Sequence, residues 1–309
     1  LRHIRNLAEA NLSRESVVTI GAFDGVHRGH QYLVGQLVEH ACQTGRVPVV
    51  LTFFPLPKIV LSGPQPGLYL TLPDEKAALL GELGVELVVT HPFNEQVRHI
   101  HAADFVAALS DHLKMAALWV GEDFAMGYRR EGDVAFLRRQ AAVRGFTLRV
   151  VDLMDAGGER VSSSRVRAAL ADGDVAEAAR LLGRPYRVAG EVVQGAGRGQ
   201  TIGIPTANLS LDMRKAIPRV GVYAAHATPG GGGQAYPAVV NVGVRPTFDG
   251  SNTLTVEAHL LDFDGDLYGQ TLSLDFVARL RDEKKFEGVD ALAAQIRADV
   301  ERGRRILAA

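Results

Sequence analysis

A change of rhythm near Arg184-Pro185 constrains this chain more than any other feature of its sequence. From Val17 to about Gly183, short apolar runs (VVTI, VPVVLTF, VELVV, ALWV, LRVVDL) alternate with stretches whose apolar residues recur at helical spacing. Strands buried on both faces and separated by amphipathic helices predict a parallel, doubly wound α/β sheet. The first helix should carry Leu33, Val34, Leu37, Val38 and Ala41, and others are expected over 74–83, 105–113 and 134–143. After Pro185 the pattern becomes YRVAGEVV, GVYAAHAT, AYPAVVNVG, TLTVEAHLL and TLSLDFV, punctuated by glycine and proline. These runs predict an antiparallel β-barrel of six-stranded type. A terminal helix from Val289 to about Leu307, with Val289, Leu292, Ala293, Ile296 and Val300 at helical spacing, should pack on it. Two domains follow, 1–183 and 184–309, the number that 309 residues lead one to expect.

Charge narrows the partners. The 34 basic and 35 acidic residues nearly cancel, so no one-signed surface for nucleic acid or membrane is expected. Small-molecule substrates and a monomer or weak homo-oligomer are the expectation. Cys42 is the single cysteine, which excludes an internal disulfide or thiolate cluster and points to a reducing, cytoplasmic setting. The longest apolar run, Val47–Pro57, is too short for a bilayer span.

Two segments of the first half carry chemistry. In GAFDGVHRGH, Gly21 to His30, two histidines stand three apart where a strand ends and a helix begins. That spacing lets His27 and His30 point at one anion, while helix amides and Gly21, Gly25 and Gly29 permit close phosphate approach. The alternative, on these ten residues alone, is a structural turn with surface histidines. In VSSSRVR, Val161 to Arg167, serine hydroxyls and Arg167 open another helix and form a second anion clamp, although one serine alone would be a plain N-cap.

Taken together, HxGH after the first strand and VSSSRVR after the last resemble the nucleotidyltransferase superfamily. With GEDFAMGYRREGD at Gly121 to Asp133 they resemble, more narrowly, the FMN adenylyltransferase domain of bacterial bifunctional FAD synthetases. The resemblance implies that His27 and His30 stabilise the ATP phosphates, with Phe23 and Asp24 in the same loop. It places Asp123 near the nucleotide, and Ser163, Ser164 and Arg167 on the distal phosphates. Phe54 and Pro55 would meet the flavin. The chain departs from the family at TFFPLP, where Phe54 and Leu56 replace polar residues, and at DFAMG, where Met126 replaces phenylalanine.

The second half has its own site. GAGRGQTIGIPTANL, Gly195 to Leu209, presents Gly195, Gly197, Gly199 and Gly203 to a nucleotide, and Thr206 and Asn208 alternate on an extended segment where both oxygens can reach one hard cation. A glycine-rich barrel corner is the bland alternative. Glu257 lies on the polar face of TLTVEAHLL and is either a solvated carboxylate or a general base. PTAN, NVGVRPTF, VEAHLLDFDGDLYG and LRDEKKF together resemble riboflavin kinase over nearly the whole second half. That resemblance implies Glu257 as catalytic base, Mg²⁺ on Thr206 and Asn208, the glycine loop over ATP, and Arg281 and Phe286 against the flavin, both with plain surface or packing roles as alternatives.

The expected product line is riboflavin to FMN in the barrel and FMN to FAD in the α/β half, each step using ATP and Mg²⁺. Two rivals are a riboflavin kinase with a first half reduced to a binding module, and a flavin-responsive regulator of nucleic acid, which would need a basic recognition helix that the sequence lacks. His99 and His101 lack a third ligand for zinc, and Asp262, Asp264 and Asp266 lack the terminal glutamate of a calcium loop, so they are read as a loop and a turn.

Overall fold

A computed structural model describes every residue except 64–66, 152–159, 196–202, 231, 247–251 and 309. It divides into two compact units, one of Leu1–Gln65 and Tyr69–Ser163, the other of Pro66–Leu68 and Ser164–Ala309.

The first unit is built on six parallel strands: β1 (Arg2–Ile4), β2 (Ser16–Ile20), β3 (Val47–Phe54), β4 (Leu87–Pro92), β5 (Met115–Gly121) and β8 (Thr147–Val151). Their order is β1-β4-β3-β2-β5-β8. Alternate residues of each strand face two separate cores, as strand geometry demands. Val18, Ile20, Val49 and Leu51 pack with Leu109 and Leu113 of α5 (Ala102–Leu113) and Leu137 of α6 (Val134–Arg144). Val17, Val50, Val88 and Trp119 pack with Leu33 and Leu37 of α1 (Arg28–Gln43) and Leu80 of α3 (Pro73–Glu82). Leu37, Leu80, Leu109 and Leu137 are fully buried, each contributing about 1.5–3 kcal/mol. Short elements without a legible period complete the unit: α2 (Pro57–Ser62), α4 (Glu95–Arg98) and a hairpin of β6 (Ala125–Met126) and β7 (Gly132–Asp133).

The second unit begins with α7 (Ser163–Asp172), apart from Ser163 itself, and α8 (Val175–Leu182), whose Val175, Ala178, Leu181 and Leu182 are buried. Strands β9 (Tyr186–Val193), β10 (Ala207–Ser210), β11 (Gly221–Pro229), β12 (Tyr236–Pro246), β13 (Asn252–Leu260) and β14 (Thr271–Arg281) close a barrel in the order β10-β13-β12-β11-β14-β9, every pair antiparallel. Tyr223 and Phe276 are buried and meet edge to face at 5.3 Å. The terminal helix α9 (Val289–Leu307) covers Val222, Ala224, Val239 and Leu280 with Val300, Ile306 and Leu307. Val289, expected on that buried stripe, is 62% exposed, because the helix seats through its later turns.

Candidate active sites

The sheet order of the first unit reverses between β2 and β5, and in open α/β sheets ligands bind outside the carboxyl ends of strands at such a reversal. The GAFDGVH loop leaves β2 there. Its backbone takes left-handed conformations at Phe23 (φ 46°), Gly25 (φ 83°) and Val26 (φ 42°), and for phenylalanine and valine that is strained. Hydrogen bonds from several segments hold it. Asp24 is 1% exposed, and its carboxylate accepts from the amides of Leu70 at 3.0 Å and Thr71 at 3.1 Å. Gly25 N–H donates to Thr71 Oγ1 at 3.0 Å, and Ser163 Oγ donates to the Asp24 carbonyl at 2.8 Å. The Ala22 carbonyl accepts from Thr52 Oγ1 at 2.9 Å and from Lys76 Nζ at 2.7 Å.

His27 is the N-cap of α1, its side chain accepting from the His30 amide at 3.4 Å, and the two imidazoles stack with centroids 3.6 Å apart and planes 18° off parallel. His30 Nδ1 is buried with no hydrogen-bond partner among the described residues. Burial first, then the neighbouring His27 and Lys76, push the His30 pKa well below its ordinary value, so the ring is neutral. No acidic residue occupies the first turn of α1, which leaves its N-terminal dipole unopposed for an anion. The expected pair and glycines thus stand together at the N-terminal end of α1.

Beside the loop lies a cavity of about 560 Å³. Gly21 and Ala22 form part of its wall, and Phe53, Phe93, Phe124 and Tyr128 give it aromatic sides. Arg98, Arg129 and Arg130 also line it. Met126 lines the cavity, whereas Phe54, Pro55 and Leu56 do not: Phe54 packs toward Tyr69 with centroids 5.3 Å apart, and the Leu56 amide donates to Tyr69 Oη. Asp123 is exposed after β5 and pairs with Arg160 at 2.9 Å. Ser164 and Arg167 belong to the second unit, where Ser164 is exposed and Arg167 Nε donates to the Leu68 carbonyl at 2.6 Å.

On the barrel, the register places Asn208 of β10 opposite Glu257 of β13, and Glu257 opposite Asn241 of β12. Directly opposed residues share a face, so these three form one polar row, while Val256 and Ala258 on either side of Glu257 point into the core. Gly195 is pressed against Asn208: a Cβ there would lie 2.1 Å from Nδ2. A Cβ at Gly243 would likewise lie 2.7 Å from Glu283 Oε1 and 3.1 Å from Asn241 Nδ2, which brings the Glu283 carboxylate to the same row. Thr206 precedes β10, Gly203 sits at φ 71°, and Gly197 and Gly199 lie outside the described residues. Arg281 forms a bidentate pair with the buried Asp299, at 2.7 Å and 3.0 Å to Oδ2, and its guanidinium stands 5.7 Å from the Phe286 ring. It therefore ties β14 to α9 as well as standing beside Phe286.

Among the described residues no group of three or more His, Cys, Asp or Glu is arranged to hold a metal. His101 instead contacts Glu131 at 2.9 Å, His99 contacts the Glu95 carbonyl at 2.6 Å, and Asp262 pairs with Arg304. Thr206 and Asn208 offer hard oxygen donors of the kind Mg²⁺ takes, and the absence of a side chain at Gly195 leaves Asn208 its place. Lys76 and Asn241 are residues that motif reading did not single out. Lys76 hides in a helical run, and Asn241, although it opens NVGVRPTF, is placed beside Glu257 only by the strand register.

The family model described as FAD synthetase matches residues 9–165, and that described as riboflavin kinase matches 182–307. The chain is 41% identical to the bifunctional riboflavin kinase/FMN adenylyltransferase of Pseudomonas fluorescens, covering 100% of this chain and 97% of the relative. It is 39% identical to the protein of that name from Escherichia coli K12, covering 97% and 95%. A crystal structure described as a macrolide-efflux protein from Streptococcus pneumoniae superposes with a TM-score of 0.87 at 34% identity, covering 98% of each chain. The chain belongs to the bifunctional riboflavin kinase/FMN adenylyltransferase family, an FAD synthetase in its N-terminal half and a riboflavin kinase in its C-terminal half.

Proposed function

We propose that adenylyl transfer occurs at the Gly21–His30 loop, with the FMN ring in the adjoining 560 Å³ cavity, and that phosphorylation occurs at the Asn208–Glu257–Asn241 row. The observation that carries the first assignment is the continuity of Gly21 and Ala22 with an aromatic cavity. A planar, apolar ring with a phosphate tail fits aromatic walls lined also by Arg98, Arg129 and Arg130. Phe53, not Phe54, is then the β3 aromatic that meets the flavin.

In the adenylyl step an FMN phosphate oxygen attacks the α-phosphorus of ATP, and pyrophosphate departs with the bridging oxygen's electron pair. His27, His30 and the α1 amides hydrogen-bond the phosphate oxygens as charge builds on them. Ser163, Ser164 and Arg167 are assigned to the distal phosphates, and Asp123 to the nucleotide's neighbourhood, on their place in the family motif.

In the kinase step Glu257 accepts the proton of the riboflavin ribityl hydroxyl, whose oxygen attacks the γ-phosphorus while ADP leaves. Asn208 and Asn241 stand opposite Glu257 on the two neighbouring strands, on the same face as its carboxylate. Thr206 and Asn208 would hold Mg²⁺, which supplies charge neutralisation for the transferring phosphoryl group. Gly195 to Gly203 is assigned to the nucleotide, and Arg281 and Phe286 to the flavin edge. The balanced charge and lone exposed Cys42 support a cytoplasmic enzyme acting as a monomer or weak homo-oligomer, and no helix among the described residues is long and apolar enough to cross a membrane.

Phe53→Ala and Tyr128→Ala test the cavity assignment. Both should raise KM for FMN in adenylylation and leave KM for riboflavin in phosphorylation unchanged. Equal changes in both reactions, or in neither, would sink it.

A further inference from the structure

Beneath the phosphate loop lies a buried charge that neither reaction, as written above, employs. Lys76 is on the first turn of α3 and is 3% exposed. Its Nζ donates to the Ala22 carbonyl at 2.7 Å and to Thr52 Oγ1 at 3.1 Å, and Thr52 Oγ1 in turn donates to the same carbonyl at 2.9 Å. The carbonyl thus has a neutral donor already, and satisfying the backbone does not require an ammonium group. Burying one is costly, so its presence points to what a charge does there. Ala22 itself is exposed and lines the cavity, one residue from Phe23 and its left-handed backbone.

We propose that Lys76 is a positioning residue for adenylyl transfer: it clamps the Ala22 carbonyl so that the loop keeps its anion-binding shape, and it sets a positive charge behind His30. The inference rests on the assignment of adenylyl transfer to this loop. The groups around Lys76 are consistent with that charge. Asp24 in the loop favours the cation, while burial first, then His27 and last Lys76 lower the pKa of His30 on α1, and burial first, then Arg5, with Lys76 contributing least, lower that of His3 on β1. On its own helix, Asp74 is engaged by Arg5 and His3, and Glu75 accepts from the Leu72 amide. Burial, opposed by Asp24, brings the Lys76 pKa down to about 8. The charge is therefore present below that value and lost as pH rises through it. ATP phosphates favour the charged form, so the loss should be felt by the free enzyme, which kcat/KM reports.

The test uses the full chain with FMN, ATP and Mg²⁺, comparing the parent with Lys76→Arg and Lys76→Met, and riboflavin phosphorylation in the same samples as control. Adenylylation kcat/KM of the parent should fall above pH about 8, up to tenfold per pH unit, with no such limb in phosphorylation. Lys76→Arg should move the limb to higher pH, and Lys76→Met should lose about tenfold or more at neutral pH and lack the limb. By NMR, His30 should titrate at higher pH in Lys76→Met than in the parent. Parental adenylylation by Lys76→Met, or an unmoved His30, would overturn the proposal even if the melting temperature dropped. Should Lys76→Met fail to fold, the parent's limb and its shift in Lys76→Arg decide, and absence of either overturns it. Failure of the underlying site assignment would look different, because His30→Ala would then retain adenylylation.

Discussion

Replacing Asp24 should separate the architecture of the Gly21–His30 loop from its charge. In the parent, Oδ1 accepts from both the Leu70 and Thr71 amides, at 3.0 Å and 3.1 Å, in a setting that is 1% exposed. Asp24→Ala strands those two donors, and at about 1–3 kcal/mol for each buried unsatisfied group the loss is about 2–6 kcal/mol. Asp24→Asn keeps an oxygen that both amides can reach and loses only the share due to charge, about 1 kcal/mol. Urea unfolding followed through Trp119 measures this cleanly, because Trp119 is the sole tryptophan and lies buried in the N-terminal sheet. Phosphorylation by the barrel should be intact in both variants under native conditions. Asp24→Asn should also move the alkaline limb of adenylylation to lower pH, since Asp24 raises the Lys76 pKa. An unchanged urea midpoint in Asp24→Ala, or an asparagine variant as unstable as the alanine one, would refute the reasoning.

Other expectations follow from the same geometry. Asp299→Ala removes the buried partner of Arg281 and should destabilise the barrel by about 3–5 kcal/mol in a denaturant titration. Gly195→Ala drives a Cβ to 2.1 Å from Asn208 Nδ2, so the kinase should need more Mg²⁺ for half-maximal rate while adenylylation is unaffected. His30 has a folded pKa below its ordinary 6.5, so the folded state binds fewer protons than the unfolded one as pH falls below that value. Stability seen through Trp119 should therefore decline below pH 6.5 more steeply in the parent than in His30→Asn.

What sequence reading captured depended on whether the signal was local. The His27–His30 spacing lies within one loop and one helix turn, and both rings are found stacked at 3.6 Å. Glu257 was recognisable from strand alternation, since Val256 and Ala258 beside it are buried. Its neighbours Asn208 and Asn241 meet it only through the register of three strands distant in sequence. That Phe53 lines the cavity while Phe54 does not is illegible in the sequence, because a strand covered on both faces has no polar side to mark its phase. Lys76 reads as an ordinary helical lysine, and only its seat under Ala22 marks it out. At Val289 the apolar period was real, yet the helix begins before its seat on the barrel does.

Product analysis from riboflavin and excess ATP, with Glu257→Ala and His30→Ala beside the parent, tests the division of labour most directly. The parent should accumulate FMN and then FAD. Glu257→Ala should lose FMN formation by about 10²–10⁴-fold yet convert supplied FMN to FAD, and His30→Ala should stop at FMN. If either variant fails in both steps, or succeeds in both, the assignment of one reaction to each half is wrong.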